Sequence, residues 1–168
     1  MNEIEVKLGQ DYKNWLTALK LRIRTVQLKA AVAVNTELLT FYWELGQDIV
    51  NKQKTSAWGD GFLKQLSVDL TSEFPEMKGF SISNIKYIKQ WHLFYSKPDE
   101  KSQQPVGQIT QIPWGHNIAI ISKCKNISEA LYYAQQTTEN SWSRSVLIHQ
   151  IESGLYQREG KSINNFSA

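Results

Sequence analysis

Cysteine is almost absent from this chain. Cys124 stands alone among 168 residues, which excludes an intramolecular disulfide and a thiolate metal cluster. No stretch approaches the roughly 18 consecutive apolar residues of a membrane span. The opening Asn2, Glu3 and Glu5 lack the basic-then-apolar order of a secretory signal. These absences predict a cytoplasmic protein with no membrane contact. Proline is scarce as well, with none before Pro75, so nothing in that first stretch forbids a long helix. Charge of one sign is also missing in excess. A formal +3 permits nucleic-acid binding without requiring it. Apolar and polar residues never alternate convincingly with period two, so no sheet is predicted, although a short hairpin at 103–112 is an alternative.

What the chain does have is helical periodicity. Leu16, Leu19, Ile23, Val26, Ala30, Val34, Leu38, Tyr42, Leu45 and Ile49 recur at steps of three or four. Their mean spacing matches the α-helical repeat of about 3.6 residues. The spacing predicts one helix from Asp11 to about Lys52, with a bend near Asn35 and Thr36 as the alternative. Such a helix runs roughly 60 Å at about 1.5 Å per residue, more than a compact domain of this size covers. One end is therefore expected to bend back or to pack on something else.

Phe62, Leu63, Leu66, Leu70 and Phe74 then mark a short amphipathic helix closed by Pro75. Lys78 and Gly79 form a turn, and Ser81 is placed to cap a helix that carries Ile82, Ile85, Ile88 and Trp91 inward. Ser96 to about Ile112 reads as a loop. Pro113 suits the start of a helix, Asn126 with Glu129 forms a cap for the next, and Ser141 precedes a last helix ending near Gly160. The expected fold is therefore all-α: a multi-helix domain with a long N-terminal helix and a helix-turn-helix-like middle segment. Residues 1–160 are expected to form the domain, and 161–168 the start of a linker.

No catalytic constellation emerges. His92, His116 and His149 lie in separate segments, none with a second ligand at i+3 or i+4, so neither a metal site nor a cofactor is expected. Cys124 lacks an evident base and reads as structural. Pro98-Asp99 with Glu159-Gly160-Lys161 echoes a nuclease pattern whose carboxylates hold a metal ion. That chemistry needs adjacent strands, which the helical reading does not supply. Basic residues are more informative. Lys13, Lys20, Arg22, Arg24 and Lys29 occur with no acid between Asp11 and Glu37. They fit either a solvated face, paired with Glu37, Glu44 and Asp48 of a neighbouring helix, or contacts to phosphates.

The middle segment has the order of a helix-turn-helix, in which the second helix sends its N-terminal side chains to base edges. Ser81, Ser83, Asn84, Lys86, Tyr87 and Gln90 are the candidates for the groove, and Lys78 and Lys89 for phosphates. Asn and Gln pair with adenine, and Lys with guanine or phosphate. The turn, Pro75 to Phe80, is longer than the compact turn of about three or four residues.

Several short motifs resemble the N-terminal domain of the bacterial YhcG-like nucleases. They are Tyr42-Trp43-Glu44-Leu45-Gly46, Trp58-Gly59-Asp60-Gly61, Leu66-Ser67-Val68-Asp69-Leu70, Phe74-Pro75, Gly79-Phe80-Ser81 with Asn84, Pro113-Trp114-Gly115-His116, Trp142-Ser143 and Gln150-Ile151. Together they span about residues 12 to 158. The resemblance implies a helical domain, formerly of unknown function, that binds duplex DNA ahead of a C-terminal nuclease domain of the PD-(D/E)xK superfamily. It implies that the nuclease residues lie beyond this chain, that Mg²⁺ belongs to that domain, and that this chain is not itself an enzyme. The alternative is a dimerisation or protein-interaction module built on the long first helix, with a homodimer as the partner state.

Overall fold

A computed structural model describes residues 9–55, 59, 61–97 and 106–160. Trp58, Asp60, Asp99, Lys161 and the expected linker 161–168 lie outside the described residues. In chain order the helices are α1 (Gly9–Thr55), α2 (Gly61–Glu73), a 3-10 turn (Lys78–Phe80), α3 (Ile82–Tyr95), α4 (Val106–Ile109), α5 (Trp114–Lys123), α6 (Ile127–Asn140), α7 (Arg144–Glu152) and a π-helical turn (Tyr156–Gly160). Among the described residues there is no strand, and the fold is all-α as expected.

The chain divides after Val34 into two units. The first consists, in its described part, of the opening run of α1, and none of its residues from Gly9 to Val34 is buried. The expected stripe is thus covered only in its second part. Leu39, Tyr42, Trp43, Gly46, Ile49 and Val50 are buried, whereas Val26 and Val34 are 65% and 69% exposed.

In the second unit Asn35 and Thr36 are helical residues of α1. The Asn35 amide donates to the carbonyls of Thr110 (3.1 Å) and Ile112 (3.2 Å). This satisfies acceptors that follow a short helix, where C-terminal carbonyls have no intrahelical partner. Gly46 lies where α1 meets α3. A Cβ there would come 2.8 Å from His92 Cβ and 2.9 Å from the Ile88 carbonyl, so only glycine allows this approach.

The core joins α1, α3 and the C-terminal helices through Leu39, Trp43, Ile88, Trp91, Ile120, Tyr133 and Leu147. Trp91 is fully buried, with Trp43 and Trp114 edge-on to it at 5.5 and 5.0 Å. Such pairs add about 0.5–1.5 kcal/mol each beyond the area they bury.

Local boundaries differ from the sequence reading at two places, Val106–Ile109 and the end of the last helix. Val106–Ile109, expected in a loop, is a helical turn, and Asn117 donates to the carbonyls of Ile109 (2.9 Å) and Ile112 (3.2 Å) behind it. Ser141 precedes the last helix as expected. It ends α6 with a φ of 51°, and Ser143 caps α7 through Val146 N–H at 3.2 Å. The last helix stops at Glu152, short of Gly160. After Gly154, with φ of 76°, the chain turns so that Tyr156 N–H reaches the buried Tyr133 hydroxyl at 2.9 Å. The Asn126 cap is present, its Oδ1 accepting from Glu129 N–H at 2.9 Å.

Candidate nucleic-acid interface

The segment expected to read DNA is built on α2, the 3-10 turn and α3. Leu63 of α2 packs with Ile49 and Ile85, which holds the pair against α1. Pro75 follows the end of α2 at Glu73, consistent with the restriction a proline places on the residue before it. The chain then turns through Phe74–Met77, where Met77 N–H bonds the Phe74 carbonyl at 3.1 Å. Phe80 anchors the turn. It is buried, meets Phe41 edge-on at 6.4 Å, and its carbonyl accepts from Ser67 Oγ at 2.7 Å.

Ser81 caps α3 as expected, its Oγ accepting from Asn84 N–H at 3.2 Å. The Asn84 side chain turns inward. Its Nδ2 donates to the Gly79 carbonyl at 2.7 Å, and its Oδ1 accepts from Trp114 Nε1 at 2.7 Å. Tyr42, from α1, stacks edge-on to Trp114 at 5.0 Å. Burial raises the Tyr42 phenol above its ordinary value, partly offset by a hydrogen bond with Asn84. Gly79 is tight against that phenol: a Cβ there would run into the Tyr42 hydroxyl. Asn84 is therefore a knot tying three distant pieces of chain, and both ends of its amide are occupied.

The outer face of α3 is different. Ser83, Lys86 and Gln90 are exposed, Tyr87 and Lys89 are half-buried, and Lys78 is exposed on the turn. Residues 83, 86, 87 and 90 share one side by helical spacing. Among the described residues the ion pair is Lys123–Glu152 at 2.8 Å, so Lys78, Lys86 and Lys89 are in none. The positive charge is interrupted nearby by Glu73 and Glu76, both exposed. Residues 35–168 carry 13 Lys and Arg against 13 Asp and Glu, so the net +3 comes from the first 34 residues. There Lys13, Lys20, Arg22, Arg24 and Lys29 are all exposed.

The other candidates separate in space or in role. Among the described residues no three His, Cys, Asp or Glu side chains are grouped to hold a metal ion. His92 is buried against Trp43 at 4.5 Å, and burial, then Lys54, lowers its pKa. His116 Nε2 bonds the Trp142 carbonyl at 2.8 Å, and His149 is exposed. Burial, with the charge of Glu129, pushes the Cys124 thiol up to about 12, so it stays protonated near neutrality and is a poor nucleophile. The Pro98-Asp99 and Lys161 parts of the nuclease-like pattern fall outside the described residues.

Tyr42, Gly79 and Trp114 were not among the expected site residues, though they hold the site together. Nothing local in sequence signals them, because Asn84 and Trp114 are 30 positions apart. Only the family-like motifs around them carried a hint.

The fold defines an all-α protein whose described helices include none long and apolar enough to cross a membrane. The family model described as DUF1016 N-terminal domain matches residues 18–158, and the chain belongs to that family. No curated protein and no solved structure matches the chain.

Proposed function

We propose that this chain is a non-catalytic, cytoplasmic module that binds duplex DNA and places a C-terminal nuclease domain of the parent protein on its substrate. The observation that carries this reading is the outer face of α3. It offers amide, hydroxyl and ammonium groups along one side, and Lys78, Lys86 and Lys89 have no ion-pair partner among the described residues. Ser83, Lys86, Tyr87 and Gln90 would enter the groove, with Lys78 and Lys89 on phosphates. Ser81 and Asn84 would set the start of α3, the end of a recognition helix that meets base edges. Membership of the DUF1016 N-terminal domain family is consistent with a helical module of this kind. Mg²⁺ would be needed only by the nuclease domain.

Fluorescence anisotropy with a labelled duplex tests the reading. Binding should weaken steeply with salt, because each phosphate contact releases counterions at a slope of about −0.9. Charge-removing variants of Lys78, Lys86 and Lys89 should flatten that slope. Absence of salt-sensitive binding at micromolar protein would overturn the proposal.

A further inference from the structure

The first unit poses a separate problem, independent of whether the chain binds DNA. Its described helical run, residues 9–34, exposes large apolar side chains and buries none of its residues. Ile23 and Val26 are 49% and 65% exposed. These side chains follow a heptad. Tyr12, Leu16, Leu19, Ile23, Val26 and Ala30, completed by Ala33, alternate in steps of four and three. All of these a and d positions are apolar, the pattern of a coiled-coil seam. The next a position is Glu37, so the seam stops close to where the second unit begins at Asn35.

The charges choose the pairing. On the flanks, the g positions are Trp15, Arg22 and Lys29, and the e positions are Lys13, Lys20, Gln27 and Val34. In a parallel, in-register pair each g residue meets the following e residue of the other copy. Trp15 then meets Lys20, Arg22 meets Gln27, and Lys29 meets Val34. No like charges touch, and Trp15 offers its ring face to an ammonium. Antiparallel pairing sets e against e and g against g. Every such register with four or more seam layers brings cations together: Lys20 on itself with Arg22 on itself, Lys13 on Lys20, Arg22 on Lys29, or Lys29 on itself.

We propose that residues 12–33 pair with the same segment of a second copy of this chain as a parallel, in-register coiled coil. The seam is complementary to itself, and pairing covers both copies without burying a cation. Leu21 and Leu28, 65% and 67% exposed, lie on the outer face and provide an internal control.

Sedimentation of the whole chain over a range of concentrations tests this. The wild type should be dimeric. Ile23→Asp with Val26→Asp should raise the dimer dissociation constant by at least about tenfold, the scale expected when charge enters an apolar seam. Leu21→Gln with Leu28→Gln should leave it unchanged. These positions lie outside the buried core, so an unchanged circular-dichroism melt of the second unit confirms that folding is intact. Ala33→Cys should form a disulfide-linked dimer on mild oxidation, since identical seam residues adjoin only in the parallel register, while buried Cys124 stays out of the reaction. A monomer at all concentrations overturns the proposal. So does a dimer that survives the seam variant, and a dimer that Ala33→Cys fails to cross-link overturns the parallel register.

Discussion

Replacing Asn84 with alanine removes two hydrogen bonds at once, to the Gly79 carbonyl and from the Trp114 indole, both 2.7 Å. Each bond contributes about 1 kcal/mol net, and a buried group left without a partner costs about 1–3 kcal/mol. Trp114 and Gly79 are half-buried, so water relieves part of that cost. The expected loss is about 2–4 kcal/mol, combining the bonds with a reduced desolvation penalty. Near its melting temperature a domain of this size shifts about 3–4 °C per kcal/mol. Calorimetry should therefore show the melting temperature of Asn84→Ala falling by roughly 7–15 °C. Tryptophan fluorescence should change as well, because the Trp114 indole loses its acceptor. A melting temperature within about 2 °C of wild type would refute the inward role of Asn84. Combined with lost DNA binding, that result would return the residue to the groove.

Gly79→Ala should cost about 1–3 kcal/mol, typical of overpacking, because its Cβ meets the Tyr42 hydroxyl. Adding Tyr42→Phe should recover part of that loss, and a double-mutant cycle measures the coupling. Tyr133→Phe leaves the buried Tyr156 N–H without its acceptor. It should destabilise by about 1–3 kcal/mol and speed hydrogen exchange at Tyr156. Alkaline pH gives a further test through Cys124, whose thiol rises from 9.0 to about 12 on folding, chiefly by burial. The folded state holds that proton more tightly, so its contribution is intact below about pH 9 and is lost as pH climbs towards 12, at up to about 1.4 kcal/mol per unit. Burial pushes Tyr95 up as well, adding to the decline above about pH 10. Urea midpoints should fall between pH 8 and pH 10.5, and Cys124→Ala should flatten the first part of that fall.

Elements governed by neighbours a few residues away were legible. Proline-free periodicity marked α1, Pro75 marked the end of α2, and Ser81 and Asn126 marked caps whose donors sit three residues on. The misreadings lay where groups distant in sequence decide the backbone. The stretch after Pro105 looked loop-like, yet Asn35 and Asn117 bring amides to its carbonyls. Asn35 reaches them across 75 and 77 positions.

The candidate site divides along the same line. Sequence by itself determined that α3 exists, where it starts, and which residues share its outer side, because those properties depend on helical spacing and a local cap. It also determined that α1 carries more apolar length than one domain covers. Tertiary structure alone decided which part of α1 is covered, and that Asn84 faces inward to Trp114 and Gly79. Both are questions of what arrives from elsewhere in the chain. A side chain's periodicity shows which face it lies on, but only the packed partner decides whether that face is a core, a knot of hydrogen bonds or an open surface.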